Sequence, residues 1–151
     1  MEIEITPAMP GESEKLKQIA IASKSYWGYP EELILKWART AIITPRAVED
    51  DLVFKACAGE DIIGWYRLTP RLPVSELEDL WLLPEYIGIG VGRILFEHAV
   101  DQAKKAGAGQ LELAADPNAE PFYLHMGCRR IGDVISEWGR AIPHLVYDLN
   151  L

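Results

Sequence analysis

Apolar and polar residues recur along this chain with two periods, one typical of strands and one typical of helices. Ile3 and Ile5 alternate with polar neighbours and predict a first strand. Helical spacing then predicts two helices, with Pro30 at the first position of the second. Their apolar faces comprise Leu16, Ile19, Ala20 and Ser23 in the first helix and Leu33, Ile34, Trp37 and Ala41 in the second.

The middle of the chain predicts three strands, and the third leads into a turn rich in glycine. Residues 52–56 and 62–68 flank a short turn and predict a β-hairpin. A buried strand follows over residues 77–83, and Pro84 ends it. Residues 87–93 read Ile-Gly-Ile-Gly-Val-Gly-Arg, and a helix is predicted from there to Gly107. The apolar face of that helix comprises Val91, Ile94, Leu95, Ala99, Ala103 and Ala106.

The last third predicts a strand around Leu111 and Leu113, a brief helix from an Asn118 N-cap to Met126, and strands at residues 129–135 and 145–149. The order is strand, two helices, three strands, helix, strand, helix and two strands. That order predicts an α+β fold: a mixed, mostly antiparallel central sheet flanked by helices, with one parallel strand–helix–strand crossover. At 151 residues and without a linker-like stretch, we expect a single domain over residues 1–151.

The glycine-rich turn is the first candidate for chemistry. Gly88, Gly90 and Gly92 let backbone N–H groups converge, and the following helix adds about half a positive charge at its N-terminus. Such an arrangement binds phosphate. The dinucleotide fingerprint fits poorly, because Arg93 occupies the place of its third glycine, and a P-loop is excluded because no Gly-Lys-Ser/Thr follows. A loop that merely needs small residues is the remaining alternative.

Composition narrows the classes of partner. Hydrophobic residues make up 49% of the chain and charged residues 25%, which is typical of a globular protein. The net charge of -8 disfavours nucleic acid and anionic membranes; it fits an amine substrate, although solubility alone explains it equally well. Without a signal peptide or membrane-spanning run, we expect a cytoplasmic protein. We also expect buried thiols at Cys57 and Cys128, and no metal site, since His98, His125 and His144 share no ligand spacing.

Residues 80–93, Leu-Trp-Leu-Leu-Pro-Glu-Tyr-Ile-Gly-Ile-Gly-Val-Gly-Arg, resemble the acetyl-CoA-binding motif of the GNAT acetyltransferase superfamily, Arg/Gln-x-x-Gly-x-Gly/Ala between a strand and a helix. Gly90 and Gly92 match this motif, and Ile87 stands where the family usually has Arg or Gln. The resemblance implies acetyl-CoA as the acyl donor. The cofactor-binding residues in this stretch would be Leu82, Leu83, Ile87, Gly88, Ile89, Gly90, Val91, Gly92 and Arg93. The order of elements is that of the GNAT fold, so the resemblance covers nearly the whole chain.

Residues 116–128 are similar to a second GNAT segment, Asn-x-x-Ala-x-x-Phe-Tyr-x-x-x-Gly-Phe. The positions that match are Ala119, Phe122, Tyr123 and Gly127, and the departures are Asp116 and Cys128. The resemblance implies that Asn118, Phe122 and Tyr123 contact the cofactor. The alternatives are a purely capping role for Asn118 and a core role for the two aromatic residues.

Acyl transfer from a thioester to an amine needs a base, because an alkyl amine with a pKa of about 10.4 is protonated at neutral pH. We expect Glu76 or Glu78 to be this base, directly or through water, unless both merely border the strand entry. Strand alternation places the two carboxylates on the same face as Leu82.

The same reaction needs a polarised carbonyl and an acid. Backbone N–H groups around Leu82 would polarise the thioester carbonyl, and Tyr123 would protonate the departing thiolate. Tyr26, Trp27 and Tyr29 are candidates for the acceptor pocket, which in GNAT folds lies beside the first two helices.

These observations favour an acetyl-CoA-dependent N-acetyltransferase whose acceptor is a primary amine of a small molecule, a peptide N-terminus or a lysine. We expect direct attack in a ternary complex, because no nucleophile with a partnered base is evident. Two alternatives stay open: a non-catalytic GNAT-like module that binds acyl-CoA as a sensor or interaction partner, and a nucleotide-binding enzyme of another kind. A homodimer also stays open, since dimers are common in the family.

Overall fold

A computed structural model describes residues 2–150, and within that range it contains seven strands, five α-helices and two short 3₁₀ helices. In chain order these are β1 (Glu4–Pro7), a 3₁₀ helix (Pro10–Glu12), α1 (Ser13–Ser25), α2 (Glu31–Ala38), α3 (Pro45–Asp50), β2 (Leu52–Ala58), β3 (Asp61–Thr69), β4 (Val74–Leu82), a 3₁₀ helix (Pro84–Tyr86), α4 (Val91–Lys105), β5 (Gln110–Ala114), α5 (Glu120–His125), β6 (Arg129–Ile135) and β7 (Ala141–Asp148). None of these helices is long and apolar enough to cross a membrane.

The strands form one sheet in the order β1-β2-β3-β4-β5-β7-β6. β1 pairs antiparallel with β2, and β7 pairs antiparallel with both β5 and β6. β4 and β5 are parallel, from the pair Val74–Gln110 to the pair Glu76–Glu112. Because α4 connects these two strands, they form the crossover that the sequence predicts. The prediction of an α+β fold with a mostly antiparallel sheet is confirmed.

The described chain falls into two compact units, residues 2–67 with 79–98 and residues 68–78 with 99–150. The single domain therefore stays a prediction. In the first unit, Trp65 and Tyr66 of β3 are fully buried. The Trp65 indole N–H donates to the Leu16 carbonyl at 2.8 Å, so burial leaves this donor satisfied.

Gly64 of β3 permits a close approach within the first unit. A Cβ at this position would lie 2.8 Å from the Trp81 carbonyl oxygen and 2.7 Å from Leu82 Cδ2. Both distances are shorter than van der Waals contact, so β3 meets the end of β4 here only because residue 64 has no side chain. Hydrophobic periodicity contains no signal for this requirement.

In the second unit the core lies on one face of β5 and β7, where Leu111, Leu113 and Leu145 are almost completely buried. β6 is the outer strand of the sheet order and is largely exposed. Its Arg129 lies 3.1 Å from Asp148 of β7, and hydrogen bonding to this guanidinium lowers the pKa of the Asp148 carboxyl. Charged residues on an outer strand disfavour edge-to-edge pairing.

Helix α2 is shorter than predicted. Pro30 is its N-cap rather than its first residue, and the helix ends at Ala38. The Thr40 hydroxyl donates to the Trp37 carbonyl at 2.6 Å, the carbonyl that a continuing helix would offer to Ala41. Ala41 is exposed, so its assignment to the apolar face is wrong.

Helix α3 lies in a stretch for which the sequence pattern predicts no element. Thr44 caps it by accepting the Ala47 amide at 3.1 Å, and Pro45 is its first residue. Thr-Pro is a known start signal. The helix is too short for apolar periodicity to reveal it.

Helix α4 buries a face that differs from the predicted one at Ile94. Ile94 is 40% exposed, whereas Phe96 and Val100 are buried. At about 100° per residue, Ile94 falls on the side opposite to the buried positions, so its assignment to the core is wrong. Gly107 follows the helix with a φ of +92°, as expected for a helix-ending glycine.

Candidate functional site

The glycine-rich turn connects β4 to α4 in the first unit. The chain leaves the 3₁₀ helix at Ile87, whose N–H donates to the Pro84 carbonyl at 3.1 Å. Gly88 and Gly90 then have φ values of +85° and +95°, which residues with a Cβ rarely adopt. A Cβ at either glycine would meet nothing within 4 Å, so the turn is open at both positions.

The backbone amides of this turn are available to a ligand. Within residues 2–150, no backbone carbonyl accepts a hydrogen bond from the amides of Gly88 to Arg93. The first such bond at the start of α4 runs from the Ile94 amide to the Gly90 carbonyl at 3.2 Å. The first turn of α4 contains no acidic residue to offset the partial positive charge of the helix N-terminus. This turn can therefore hold a phosphate group.

Arg93 adds a guanidinium at the same helix end. Its Nε lies 3.7 Å from Glu97 Oε1, and both side chains are more than half exposed. Exposed ion pairs are weak, so the Arg93 side chain is free to exchange Glu97 for an anionic ligand. The structure thus brings the predicted residues from Ile87 to Arg93 together in one turn.

At the end of β4, only one of the two predicted backbone amides, those of Leu82 and Leu83, is available to a ligand. The Leu83 N–H donates to the Ile63 carbonyl of β3 at 2.9 Å. Because successive N–H groups of a strand point to opposite edges, the Leu82 N–H points away from β3. Of these two predicted residues, Leu82 is the one whose amide can face a ligand.

The predicted carboxylates lie on β4 in the second unit. Glu76 accepts a hydrogen bond from Arg71 Nη1 at 3.2 Å and stands opposite Glu112 of β5 in the parallel register. Glu112 Oε1 is in turn 3.7 Å from His144 Nε2. Glu78 is exposed, two residues beyond the last β4–β5 pair. Sequence reasoning missed Glu112 and His144, because a sheet register brings together positions that are distant along the chain. It also missed Arg71, which lies in the loop before β4.

Asp116 organises the loop before α5 in the second unit. Its Oδ1 accepts hydrogen bonds from the Asn118 backbone N–H at 2.9 Å and from Asn118 Nδ2 at 3.0 Å, and its Oδ2 lies 3.9 Å from Arg140 Nη2. Helix α5 begins at Glu120, with Ala119 as its N-cap. The prediction that Asn118 caps this helix is therefore wrong. The aspartate two residues earlier closes the turn, and Asn118 is its donor.

Tyr123 is 7% exposed, and its ring meets the Phe122 ring edge-on at a centroid distance of 5.0 Å. The Tyr123 carbonyl accepts the Cys128 N–H at 3.0 Å across the turn at Gly127. Gly127 has a φ of +109°, and a Cβ there would lie 3.2 Å from the Tyr147 ring. The motif positions Tyr123 and Gly127 therefore have structural roles in the packing of the second unit.

The thiols are poor nucleophiles at neutral pH. Burial raises the pKa of Cys128 to about 12, and burial also raises the pKa of Cys57. A thiol must ionise to attack a thioester, so neither cysteine is suited to form an acyl-enzyme. The prediction of a buried thiol is confirmed for Cys128, whereas Cys57 is half-buried. Within the described chain, no cluster of three or more His, Cys, Asp or Glu side chains could hold a metal ion.

The aromatic residues predicted for the acceptor pocket follow α1 in the first unit. Tyr26 and Trp27 are exposed and contact each other edge-on, with ring centroids 4.9 Å apart. Tyr29 faces Lys24, whose Nζ lies 5.4 Å from its ring centroid. Sequence reasoning missed Lys24. Its spacing of four residues from Ala20 on the buried face of α1 is the signal that could have found it.

The chain is similar to known acetyltransferases. A family model described as "Acetyltransferase (GNAT) family" matches residues 15–128. The aminoglycoside N(6')-acetyltransferase type 1 of Stenotrophomonas maltophilia is 34% identical over 90 residues, 53% of this chain and 58% of that protein. An uncharacterized N-acetyltransferase of Methanocaldococcus jannaschii is 26% identical over 85 residues, 54% of this chain and 37% of that protein. The PaiA N-acetyltransferase of Thermoplasma acidophilum, solved in complex with coenzyme A, has a TM-score of 0.83 and 23% identity, over 98% of this chain and 99% of that one.

These similarities cover different shares of the proteins that are compared. The matches to the two curated relatives span only 37% and 58% of those proteins. The solved structure shares the fold over nearly its whole length, which confirms the GNAT fold. The family model covers most of the chain, including residues 80–93 and 116–128. This chain belongs to the GNAT family of acetyltransferases.

Proposed function

We propose that the chain transfers an acetyl group from acetyl-CoA to a primary amine by direct attack in a ternary complex. The observation that carries the proposal is the run of amides from Gly88 to Arg93, which meet no backbone carbonyl in the described chain. The relatives named as N-acetyltransferases, and the structural neighbour solved with coenzyme A, support the choice of donor and reaction.

The turn would bind the diphosphate of coenzyme A. Its amides would donate to the phosphate oxygens, and the N-terminus of α4 and the Arg93 guanidinium would supply positive charge. A local positive site is needed because the chain as a whole carries a net charge of -8. Ile87 would contribute neither its backbone N–H, which bonds to the Pro84 carbonyl, nor the side-chain contact that the family's Arg or Gln would make.

The edge of β4 that points away from β3 would pair with the amide-bearing arm of the cofactor, as an added strand would. The Leu82 N–H lies on that edge, since the Leu83 N–H bonds to Ile63 on the other. There it would donate to the thioester carbonyl oxygen and stabilise the negative charge that develops during attack.

Three proton transfers complete the reaction. Glu76 or Glu78 would take a proton from the acceptor ammonium, directly or through water. The amine nitrogen then bonds to the carbonyl carbon, the C–S bond breaks, and the thiolate would receive the Tyr123 hydroxyl proton. The second proton of the amine nitrogen, which is lost as the amide forms, would return to the Tyr123 phenolate directly or through water. Arg71 competes for the Glu76 carboxylate. The amine would attack directly, because burial raises the pKa of both thiols and neither is suited to form an acyl-enzyme.

The experiment incubates the chain with acetyl-CoA and a panel of amines, including lysine peptides and peptide N-termini. Released coenzyme A thiol is measured together with the mass of the acetylated product. We expect both for at least one amine. The Glu76→Gln and Glu78→Gln variants then assign the base: loss of the acidic limb of the pH–rate profile identifies it, and unchanged profiles in both variants would exclude both residues.

A second candidate is a non-catalytic module that binds acyl-CoA, and two departures from the family motifs favour it. Ile87 lacks a side chain that can contact the diphosphate, and Asp116 replaces an asparagine. Titration calorimetry with acetyl-CoA separates the candidates: tight binding with no thiol release for any amine would identify the module, whereas turnover excludes it.

A further inference from the structure

Lys24 is a charged residue among the buried positions of the first unit. It lies near the end of α1 and is 8% exposed. Its Nζ is 5.4 Å from the ring centroid of Tyr29, 5.5 Å from that of Trp37 and 5.8 Å from that of Trp81. All three distances are within the range of a cation–π interaction. We refer to these three rings around the Lys24 ammonium as the ammonium box.

The three rings come from three different parts of the chain. Tyr29 lies between α1 and α2, Trp37 belongs to α2, and Trp81 belongs to β4. The two tryptophan rings are 5.4 Å apart, and the Trp81 indole N–H donates to Asp79 Oδ1 at 3.0 Å. One ammonium group therefore connects the α1–α2 segment to the strand that also carries Leu82.

A buried charge is costly unless its surroundings compensate it, and a methionine would fill similar space without that cost. Packing alone therefore does not explain a lysine at this position. What the ammonium adds is a fixed place for residues 26–29, because its attraction to Tyr29 is directional. The exposed rings of Tyr26 and Trp27 lie in this same segment.

We propose that Lys24 is a positioning residue for the acceptor amine: its ammonium, held in the box, keeps residues 26–29 next to β4, and the acceptor binds against that segment. The inference rests on the proposed function, because it assigns a substrate to the segment. It differs from the sequence-based prediction, which placed the aromatic residues at the acceptor without anything to hold them.

The kinetic test compares Lys24→Met, which removes the cation, with Lys24→Arg, which keeps it. For Lys24→Met we expect the KM for the acceptor to rise about tenfold and the KM for acetyl-CoA to change less than about twofold. Lys24→Arg should recover most of the acceptor KM. If both variants raise both KM values in proportion to their loss of thermal stability, Lys24 is only a packing residue and the proposal fails.

A second measurement needs no turnover, so it separates this proposal from the proposed function. Chymotrypsin cleaves after exposed aromatic residues, and the fragments formed after Tyr26 and Trp27 are quantified by mass spectrometry. We expect faster cleavage in Lys24→Met than in the wild type or Lys24→Arg. Equal cleavage in all three would overturn the proposal.

A chemical rescue tests the box itself. In Lys24→Ala, tetramethylammonium should slow chymotrypsin cleavage after Tyr26 and Trp27, whereas tert-butanol, a neutral molecule of similar size, should not. Tetramethylammonium has no N–H group and cannot be acetylated. Equal effects of the two additives would show that the box does not select a cation. If cleavage behaves as expected but the wild type acetylates no amine, the acceptor's part in the proposal is refuted together with the proposed function.

Discussion

In the first unit, the turn at residues 87–93 keeps its amides from Gly88 to Arg93 clear of every backbone carbonyl in residues 2–150. In the second unit, the segment at residues 116–128 uses its amides internally: those of Ala119, Tyr123 and Cys128 all donate to nearby carbonyls. The first motif therefore leaves backbone amides available to a ligand, whereas the ligand contacts that we propose for the second motif come from side chains. A site made of backbone tolerates a changed side chain as long as no Cβ obstructs it, whereas a site made of side chains does not.

For this reason we expect the two departures from the family motifs to affect ligand binding to different degrees. Ile87 is the first residue of the turn, and the φ values of Gly88 and Gly90 after it are +85° and +95°. Asp116 changes a side chain, and its carboxylate accepts two hydrogen bonds from Asn118. We therefore expect substitutions of side chains to cost more in residues 116–128 than in the turn.

The largest effect is expected for Tyr123→Phe. If this hydroxyl protonates the leaving thiolate, its removal should lower kcat about a hundredfold, the scale of general acid catalysis. The matched control is Tyr147→Phe, which removes a hydroxyl from the same unit at a residue to which we assign no step. The measurement is kcat at saturating concentrations of both substrates. Undiminished turnover in Tyr123→Phe would remove Tyr123 from the mechanism.

Gly64→Ala should have the next largest effect, on stability. The added Cβ would lie 2.8 Å from the Trp81 carbonyl oxygen, a backbone atom that cannot rotate away. We expect the free energy of unfolding to fall by about 2 kcal/mol and Tm by about 5 °C. Gly11→Ala is the control, since its Cβ would meet nothing within 4 Å. Equal Tm values for the two variants would show that the end of β4, which leads into the glycine-rich turn, can move to accommodate the added Cβ.

Gly90→Ala tests the backbone character of the turn. A Cβ at a φ of +95° strains the chain and stands beside the amides that would hold the diphosphate, so the KM for acetyl-CoA should rise about tenfold. Gly59→Ala carries the same kind of strain, at a φ of +63° with open space around it, in the turn between β2 and β3. If both variants change the KM alike, strain rather than ligand contact is the cause.

Much of the fold is predictable from the sequence because it depends on local patterns. Local patterns of apolar residues, either alternating or continuous, predict the strands of the sheet, and helical spacing predicts the long helix α4. The glycines of residues 87–93 predict the open turn before that helix. The fold and the turn are therefore both predictable from local sequence patterns. The short helix α3 is not, because its only signal is the cap at Thr44 and Pro45.

What the sequence does not reveal depends on residues that are distant along the chain. The requirement at Gly64 arises from Trp81, and the partner of Glu76 across the sheet is Glu112. Lys24 lies on the buried face of α1, but the tryptophan rings around its ammonium come from other elements. Even within a short stretch an expectation can fail: Asn118, the predicted N-cap, is instead the donor in a turn that Asp116 closes.

The smallest effect is expected for Ile87→Arg, which adds a guanidinium where the family motif has Arg or Gln. If the backbone already provides most of the binding, the gain should be modest: a KM for acetyl-CoA about threefold lower, as for an exposed ion pair. Ile89→Arg adds the same charge two residues later, at a side chain that is 57% exposed. Equal gains in both variants would indicate general attraction to the anionic cofactor rather than a contact at residue 87. A gain at Ile87→Arg alone that shrinks as salt is added would show that the turn accepts a side-chain contact without depending on one.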